Sequence, residues 1–255
     1  MTDRDEGMEN QAFDWIAIDR RFRHDFLLLA LGGLCVALVG FSSTYFVPLI
    51  GRGESFPGAL HIHGAFCFAW LLVFLTQSVL VKQQKVVIHR MVGTAGALVA
   101  LGVLITMQLA GVHMVDAGLE NGLGDRAYGS VTGPFFDSLL FAAFVFAALI
   151  FRKRRDFHGR LMLLATILIL WVAWSRWRHY LPEFPGRDIF FAYWLAMAPI
   201  PVLWWHERRK SGVIHPVMLW GGLLVIMQQG AQVMAADTFW RRAGRIIYDV
   251  WSSIA

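Results

Sequence analysis

HIHGAFCFAWLLVFLTQSVLV, residues 61–81, runs for 21 residues without an Asp, Glu, Lys or Arg. In a helix rising about 1.5 Å per residue, roughly 20 apolar residues cross the hydrocarbon core of a bilayer. This segment is therefore long enough to span a membrane. No water reaches the backbone there, so each N–H and C=O must be satisfied within its own segment, which a helix does and a lone strand does not. Residues 61–81 read as a transmembrane helix.

The pattern repeats on both sides of it. Apolar runs over 26–48, 59–81, 91–113, 134–151, 160–178, 189–205 and 215–235 predict about seven spans. The connections carry the punctuation: GRGESFPG, KQQKVVIHR, a Gly-rich stretch up to Pro134, RKRRDFHGR, HYLPEFPGRD and HERRKSGVIHP. Of 255 residues 57% are hydrophobic and 16% charged, where a soluble domain is nearer half and a quarter. The expected fold is all-α: a polytopic transmembrane helix bundle of about seven spans with a cytoplasmic N-terminus. Residues 1–25 form a cytoplasmic, partly amphipathic segment, 26–235 the membrane domain, and 236–255 an interfacial amphipathic helix.

Charge sets the orientation. Fifteen of the twenty-three Lys and Arg fall on the N-terminal side of the bilayer, in the first, third, fifth and seventh polar stretches. That bias predicts N-in and C-out, with Arg241, Arg242 and Arg245 in tension with it. The setting expected is the bacterial inner membrane, crossed many times. The net charge of +5 sits at helix ends and gives no footprint for nucleic acid. Cys35 and Cys67 fall inside apolar runs, so neither a disulfide framework nor a redox pair is expected. The polar start, MTDRDEGMENQAFDW, has no apolar h-region of a cleaved signal. Phe239, Trp240, Ala243, Ile246, Ile247, Val250 and Trp251 recur at helical spacing and predict the amphipathic C-terminal helix. Phe13, Trp15, Ile16 and Phe22 suggest a second one.

Histidine placement is the informative feature. His61 and His63 open the second span at the outer face; His89, His158 and His215 open the third, fifth and seventh at the inner face. The positive end of the helix dipole disfavours imidazolium there and keeps a neutral ring able to ligate a metal. Arg90 follows His89, and Arg160 lies two residues after His158. His89, His158 and His215 are thus candidate ligands of a haem b or of a transition metal such as copper or zinc. Arg90 and Arg160 would hold propionates, and Gln77 backs the His89 side. A phosphate or lipid headgroup, or a plain positive-inside pattern, competes with that reading.

A second candidate metal site lies at the outer face: His61, His63 and Asp137, the last followed by fourteen residues without a charge. His61 and His63 point about 200° apart on an ideal helix, so a shared ion requires a frayed first turn. Arg176 is an alternative partner for Asp137. Gln228, Gln229 and Gln232 reach the same depth, and Ser42, Ser43, Thr44 and Tyr45 add hydroxyls. Interhelical hydrogen bonding competes with a ligand site. The seventh span has no Lys for a retinal Schiff base, and no HExxH, DxxxD or Walker loop occurs.

HIHGAFCFAW with its Gln77, HRMVGTAG, FDSLLF, HGRLMLL and IHPVMLWGG together resemble a widespread family of bacterial multi-helix membrane proteins with no assigned activity. The resemblance covers about residues 58–235. It implies a shared multi-helix fold and the set His61, His63, Gln77, His89, Arg90, Asp137, His158, Arg160, Arg176 and His215; Gly159 stands where that family often has a basic residue. The functional expectation is a histidine-based haem or metal site serving redox or electron transfer. Two others stand beside it: an accessory or assembly subunit docked to partner subunits in the bilayer, and a small-solute or lipid transporter or membrane enzyme.

Overall fold

A computed structural model describes residues 15–234 and 238–253. All regular elements among them are helices. The first, α1, runs over Trp15–Phe41 and continues through a π turn, Ser42–Phe46, into Val47–Gly51. Next come α2 (Gly58–Lys82), α3 (Val86–Glu120) and, after a 3-10 segment Gly124–Val131, α4 (Thr132–Ile150). Helix α5 is built from Arg155–Ile169, Trp171–Arg176 and a 3-10 turn Trp177–Tyr180. Helix α6 passes from Arg187–Ile189 through a π stretch Phe190–Leu195 to Pro199–Ser211. Helix α7 is a π turn, Val217–Gly221, followed by Gly222–Met234, and α8 is Thr238–Ser252.

Six of these, from Asp25–Gly51 to Arg187–Ser211, are long and apolar enough to cross a membrane, and α7 follows them as the seventh of the bundle. The chain is a multi-pass membrane protein. Helix α3 extends several residues beyond the predicted 91–113 at both ends. Hydropathy marks where lipid ends, whereas the backbone ladder continues through polar residues such as Asp116. Of the expected N-terminal amphipathic stretch, Phe13 lies outside the described residues, as does Ile254 of the C-terminal one.

Helix α5 is the axis. Its apolar window is 61% buried, against 28–44% for the other five. Leu164, Leu168 and Ala165 are sealed in it, against Phe141 of α4, Ile200 of α6 and Val225 of α7. Helix α2 lies along α3, α4 along both α3 and α5, and α1 against α2 and the second half of α5. The outward faces carry Leu28, Leu98, Phe146, Trp194 and Trp220, all exposed, as a lipid-facing surface requires. We call the end where α1 begins proximal and the opposite end distal.

Two close approaches fix the distal end. At Gly40 a Cβ would collide with the carbonyl of Ala173, so α1 can touch α5 only because no side chain intervenes. Trp177 Nε1 then donates to the Val36 carbonyl at 3.2 Å and Tyr180 to that of Val39 at 2.7 Å. At Gly244 a Cβ would strike the carbonyl of Tyr128, which seats α8 on the 3-10 segment. There Tyr248 donates to Asp116 at 2.5 Å, Arg245 pairs with Asp125 at 2.7 Å, and Val115, Ala127 and Val131 pack under Ile247 and Tyr248.

Gly40→Val should therefore lower thermal stability in detergent by about 1–3 kcal/mol through overpacking, whereas the same change at Gly32, where a Cβ meets nothing, should be near neutral. The Asp116 hydrogen bond, with lesser help from burial, pushes the Tyr248 hydroxyl from 10.0 up to about 12. A raised value means that the docking contribution is complete below pH 10 and lost as pH climbs through about 12. Limited proteolysis at graded alkaline pH reads α8 release, and Tyr248→Phe should abolish that pH dependence.

Candidate functional site

The three inner histidines separate into a pair and a single. His89 lies in the first turns of α3 and His158 near the start of α5. Their rings meet edge to face with centroids 6.2 Å apart. His158 Nδ1 is 2.8 Å from the carbonyl of Ala148. Ala148 belongs to the last turn of α4, whose final carbonyls have no partner within the helix. A carbonyl only accepts, so Nδ1 carries the proton and the Nε2 lone pair is left available. On the other ring, His89 Nδ1 is buried and meets no partner. Gln77 of α2 donates its Nε2 to the His89 carbonyl at 3.0 Å, and its Oε1 is likewise buried without a partner. Two imidazoles and a carboxamide thus come from three different helices at the proximal end.

His215 and Arg160, expected beside this pair, are committed elsewhere. His215 Nδ1 accepts from the Val217 N–H at 3.1 Å, and Nε2 faces Asp156 Oδ2 at 3.4 Å. Both ring nitrogens therefore have protein partners. Arg160, 2% exposed, pairs with Glu207 at 2.7 Å and donates to the Asp156 carbonyl at 2.9 Å. Glu207 Oε2 also accepts the His215 N–H at 2.9 Å. The reason is electrostatic: an Arg this deep needs a carboxylate, and Glu207 of α6 supplies it before any propionate could. Arg90 is exposed. Lys210 and His206 of α6 reach Asp25 of α1 at 2.8 and 3.1 Å. The proximal end is thus a second, separate network of charges tying α1, α5, α6 and α7.

The outer trio His61, His63 and Asp137 does not come together. His61 Nδ1 meets the Tyr45 hydroxyl at 2.5 Å. His63 turns the other way, with Nδ1 3.2 Å from Thr106 Oγ1 and Nε2 3.5 Å from Cys67 Sγ. Asp137, 1% exposed, is wrapped by donors. Its Oδ1 accepts from Gln228, Gln229 and Gln232 at 2.8, 2.7 and 3.1 Å, and its Oδ2 from Trp171 Nε1 at 2.6 Å. Four N–H donors and no competing acceptor describe an ionised carboxylate held by neutral dipoles. Arg176 is not its partner; that guanidinium turns to Thr44. Among the described residues no three of His, Cys, Asp and Glu gather as a metal-binding group. An open groove of about 500 Å³ lies between α3 and α4, lined by Ala97, Leu101, Leu104, Leu139 and Phe146 among other apolar side chains, and holds none of these groups.

Comparison of the chain with protein families, with curated proteins and with solved structures gives no match. The site stands on its own geometry. Sequence reading placed the three glutamines at the level of Asp137 but gave Trp171 no functional role. It passed over Asp156 and Glu207, although an acidic residue inside RKRRDFHGR and HERRK is itself a signal, since a lone carboxylate among basic residues at a helix end invites pairing.

Asp137→Asn replaces two acceptor oxygens by one and points an amide at existing donors. It should cost about 3 kcal/mol or more, and Trp171→Phe about 1.5–3 kcal/mol, both read by unfolding in detergent. Equal stability of wild type and Asp137→Asn would show that the four donors are not spent on the carboxylate.

Proposed function

We propose that this membrane protein holds a transition-metal centre at the His89–His158 pair and uses it in redox or electron transfer. The observation that carries the reading is the pairing itself. One ring is fixed by a backbone carbonyl, so that its other nitrogen is presented, and the second ring has a buried nitrogen without a partner. An N–H donated to a carbonyl is the usual support of a metal-bound histidine. Metal–nitrogen bonds of about 2.0–2.1 Å are compatible with two rings at this separation.

Two forms of the centre are open to these donors. A haem b would use the rings as axial ligands and needs cations for its propionates; Arg90 is exposed for that role, while Arg160 is engaged by Glu207. A bare copper-class ion asks only for neutral imidazoles and gains the Gln77 oxygen as a further donor. The donor set favours the bare ion. The bilayer is the surrounding solvent, and the basic bias of the N-terminal side supports placement in a bacterial inner membrane with that side cytoplasmic.

A second reading, a non-catalytic subunit of a larger membrane complex, has one observation behind it. Phe239, Ile246 and Val250 lie exposed along one stripe of α8, beside the face that docks on the bundle.

The optical spectrum of purified protein, oxidised and reduced, together with elemental analysis, decides between them. The expected result is a stoichiometric metal that is lost in His89→Ala and His158→Ala and kept in His215→Ala. Gln77→Leu should weaken it by about 10–100-fold. The absence of both a Soret band and a stoichiometric metal overturns the proposal, and fixed partners recovered in mild detergent would then move the weight to the second reading.

A further inference from the structure

The distal end of α5 carries a cation that has no counter-ion among the described residues. Arg176 stands at the last turn of Trp171–Arg176, half-buried, with its guanidinium 4.7 Å above the Phe41 ring. Its neighbours in charge are all spoken for. Arg178 pairs with Asp188 at 3.7 Å, Arg187 with Glu183 at 3.5 Å and with Asp188 at 3.7 Å, and Arg52 with Glu54 at 3.6 Å. Asp137, on the neighbouring helix α4, is saturated by Trp171, five residues before Arg176 on α5, and by the three glutamines. Among the described residues no carboxylate lies within ion-pair distance of Arg176.

Its hydrogen bonding is also incomplete on one particular edge. Nη1 donates to Thr44 Oγ1 at 3.1 Å. Nε is buried and meets no acceptor, and Ser43 Oγ is buried and unpartnered as well. The Nε–Nη2 edge is the one that takes two oxygens of a carboxylate or phosphate in parallel. The π turn Ser42–Phe46 brings the hydroxyls here: it widens α1 and presents Ser43 and Thr44 toward α5. An unpaired buried guanidinium in a membrane protein is costly, and an orphan donor adds to the cost. Trp174 and Trp177 stack beside it with centroids 5.4 Å apart, the aromatic setting of a membrane–water boundary. At that depth the abundant anion is phosphate.

We propose that Arg176, Thr44 and Ser43 form a binding site for a phosphate oxyanion at the distal membrane surface, borne either by a phospholipid headgroup or by free phosphate. The Nε–Nη2 edge takes two phosphate oxygens, Ser43 donates to one of them, and Thr44 holds the guanidinium in place. The site lies at the opposite end of the bundle from the histidine pair and does not depend on it.

The test is thermal unfolding of the full chain in phosphate-free detergent. It is titrated with inorganic phosphate, with a short-chain phosphatidylglycerol, and with chloride at matched ionic strength, for wild type, Arg176→Gln, Thr44→Val and Ser43→Ala. A saturable rise in Tm is expected, with its midpoint moved about tenfold or more in Arg176→Gln and less in the two hydroxyl variants. A rise with phosphatidylglycerol alone assigns the lipid headgroup; a rise with both assigns the oxyanion itself. No saturable rise in wild type beyond chloride, or one of unchanged midpoint in Arg176→Gln, overturns the proposal. Should Arg176→Gln fail to fold, unchanged midpoints in both Thr44→Val and Ser43→Ala overturn it equally.

Discussion

The Arg160–Glu207 pair is the constraint on which the proximal half depends. Both side chains are almost wholly withdrawn from solvent, 2% and 6% exposed, and meet at 2.7 Å. Removing one partner of such a pair strands a buried charge, a loss of about 3–5 kcal/mol. The pair therefore behaves as a joint rather than a contact. Glu207 reaches on to the His215 amide, and Asp156, one turn before Arg160, faces the His215 ring. Three helices are fixed by one set of charges. Because that set absorbs His215 and Arg160, it also defines by exclusion which histidines are left to do something else.

The distal half is held by another kind of chemistry. Asp137 has no cation near it among the described residues and is stabilised by dipoles from α5 and α7. Arg176 likewise has no anion near it among those residues and is steadied by a hydroxyl and an aromatic face. Two opposite charges on neighbouring helices, each solvated by neutral groups rather than by the other, make an unusual economy for a membrane interior, where pairing is the common solution. Geometry accounts for it. Trp171 occupies the space on α5 that faces Asp137, and Arg176, five residues further, points toward α1 instead.

How much of this was legible in the sequence follows from what periodicity can carry. The helices were, because twenty-odd apolar residues have one stable form in lipid. The histidine positions at helix starts were also legible, since hydropathy locates each entry into the bilayer. Direction was not. Whether His89 turns to His158 and His215 turns away depends on the π turn after Pro216 and on carboxylates in basic loops, neither of which has a period. The outer trio failed to assemble for a related reason: His61 and His63 lie nearly opposite on one helix, and no fraying of the first turn reconciles them, because Tyr45 and Thr106 each claim one ring. Thr44 faces Arg176 only because α1 widens there, and a π turn leaves no compositional mark.

Helix α8 comes after α7 in the chain yet closes over a surface made much earlier, by the end of α3 and the 3-10 segment before α4. Until α7 has been threaded through the bilayer, Val115, Ala127 and Val131 have nothing above them. Assembly thus has a built-in order, in which a helix that emerges after α7 is the one that seals the distal rim. A cell's quality-control machinery could recognise an unfinished copy by that bare patch alone.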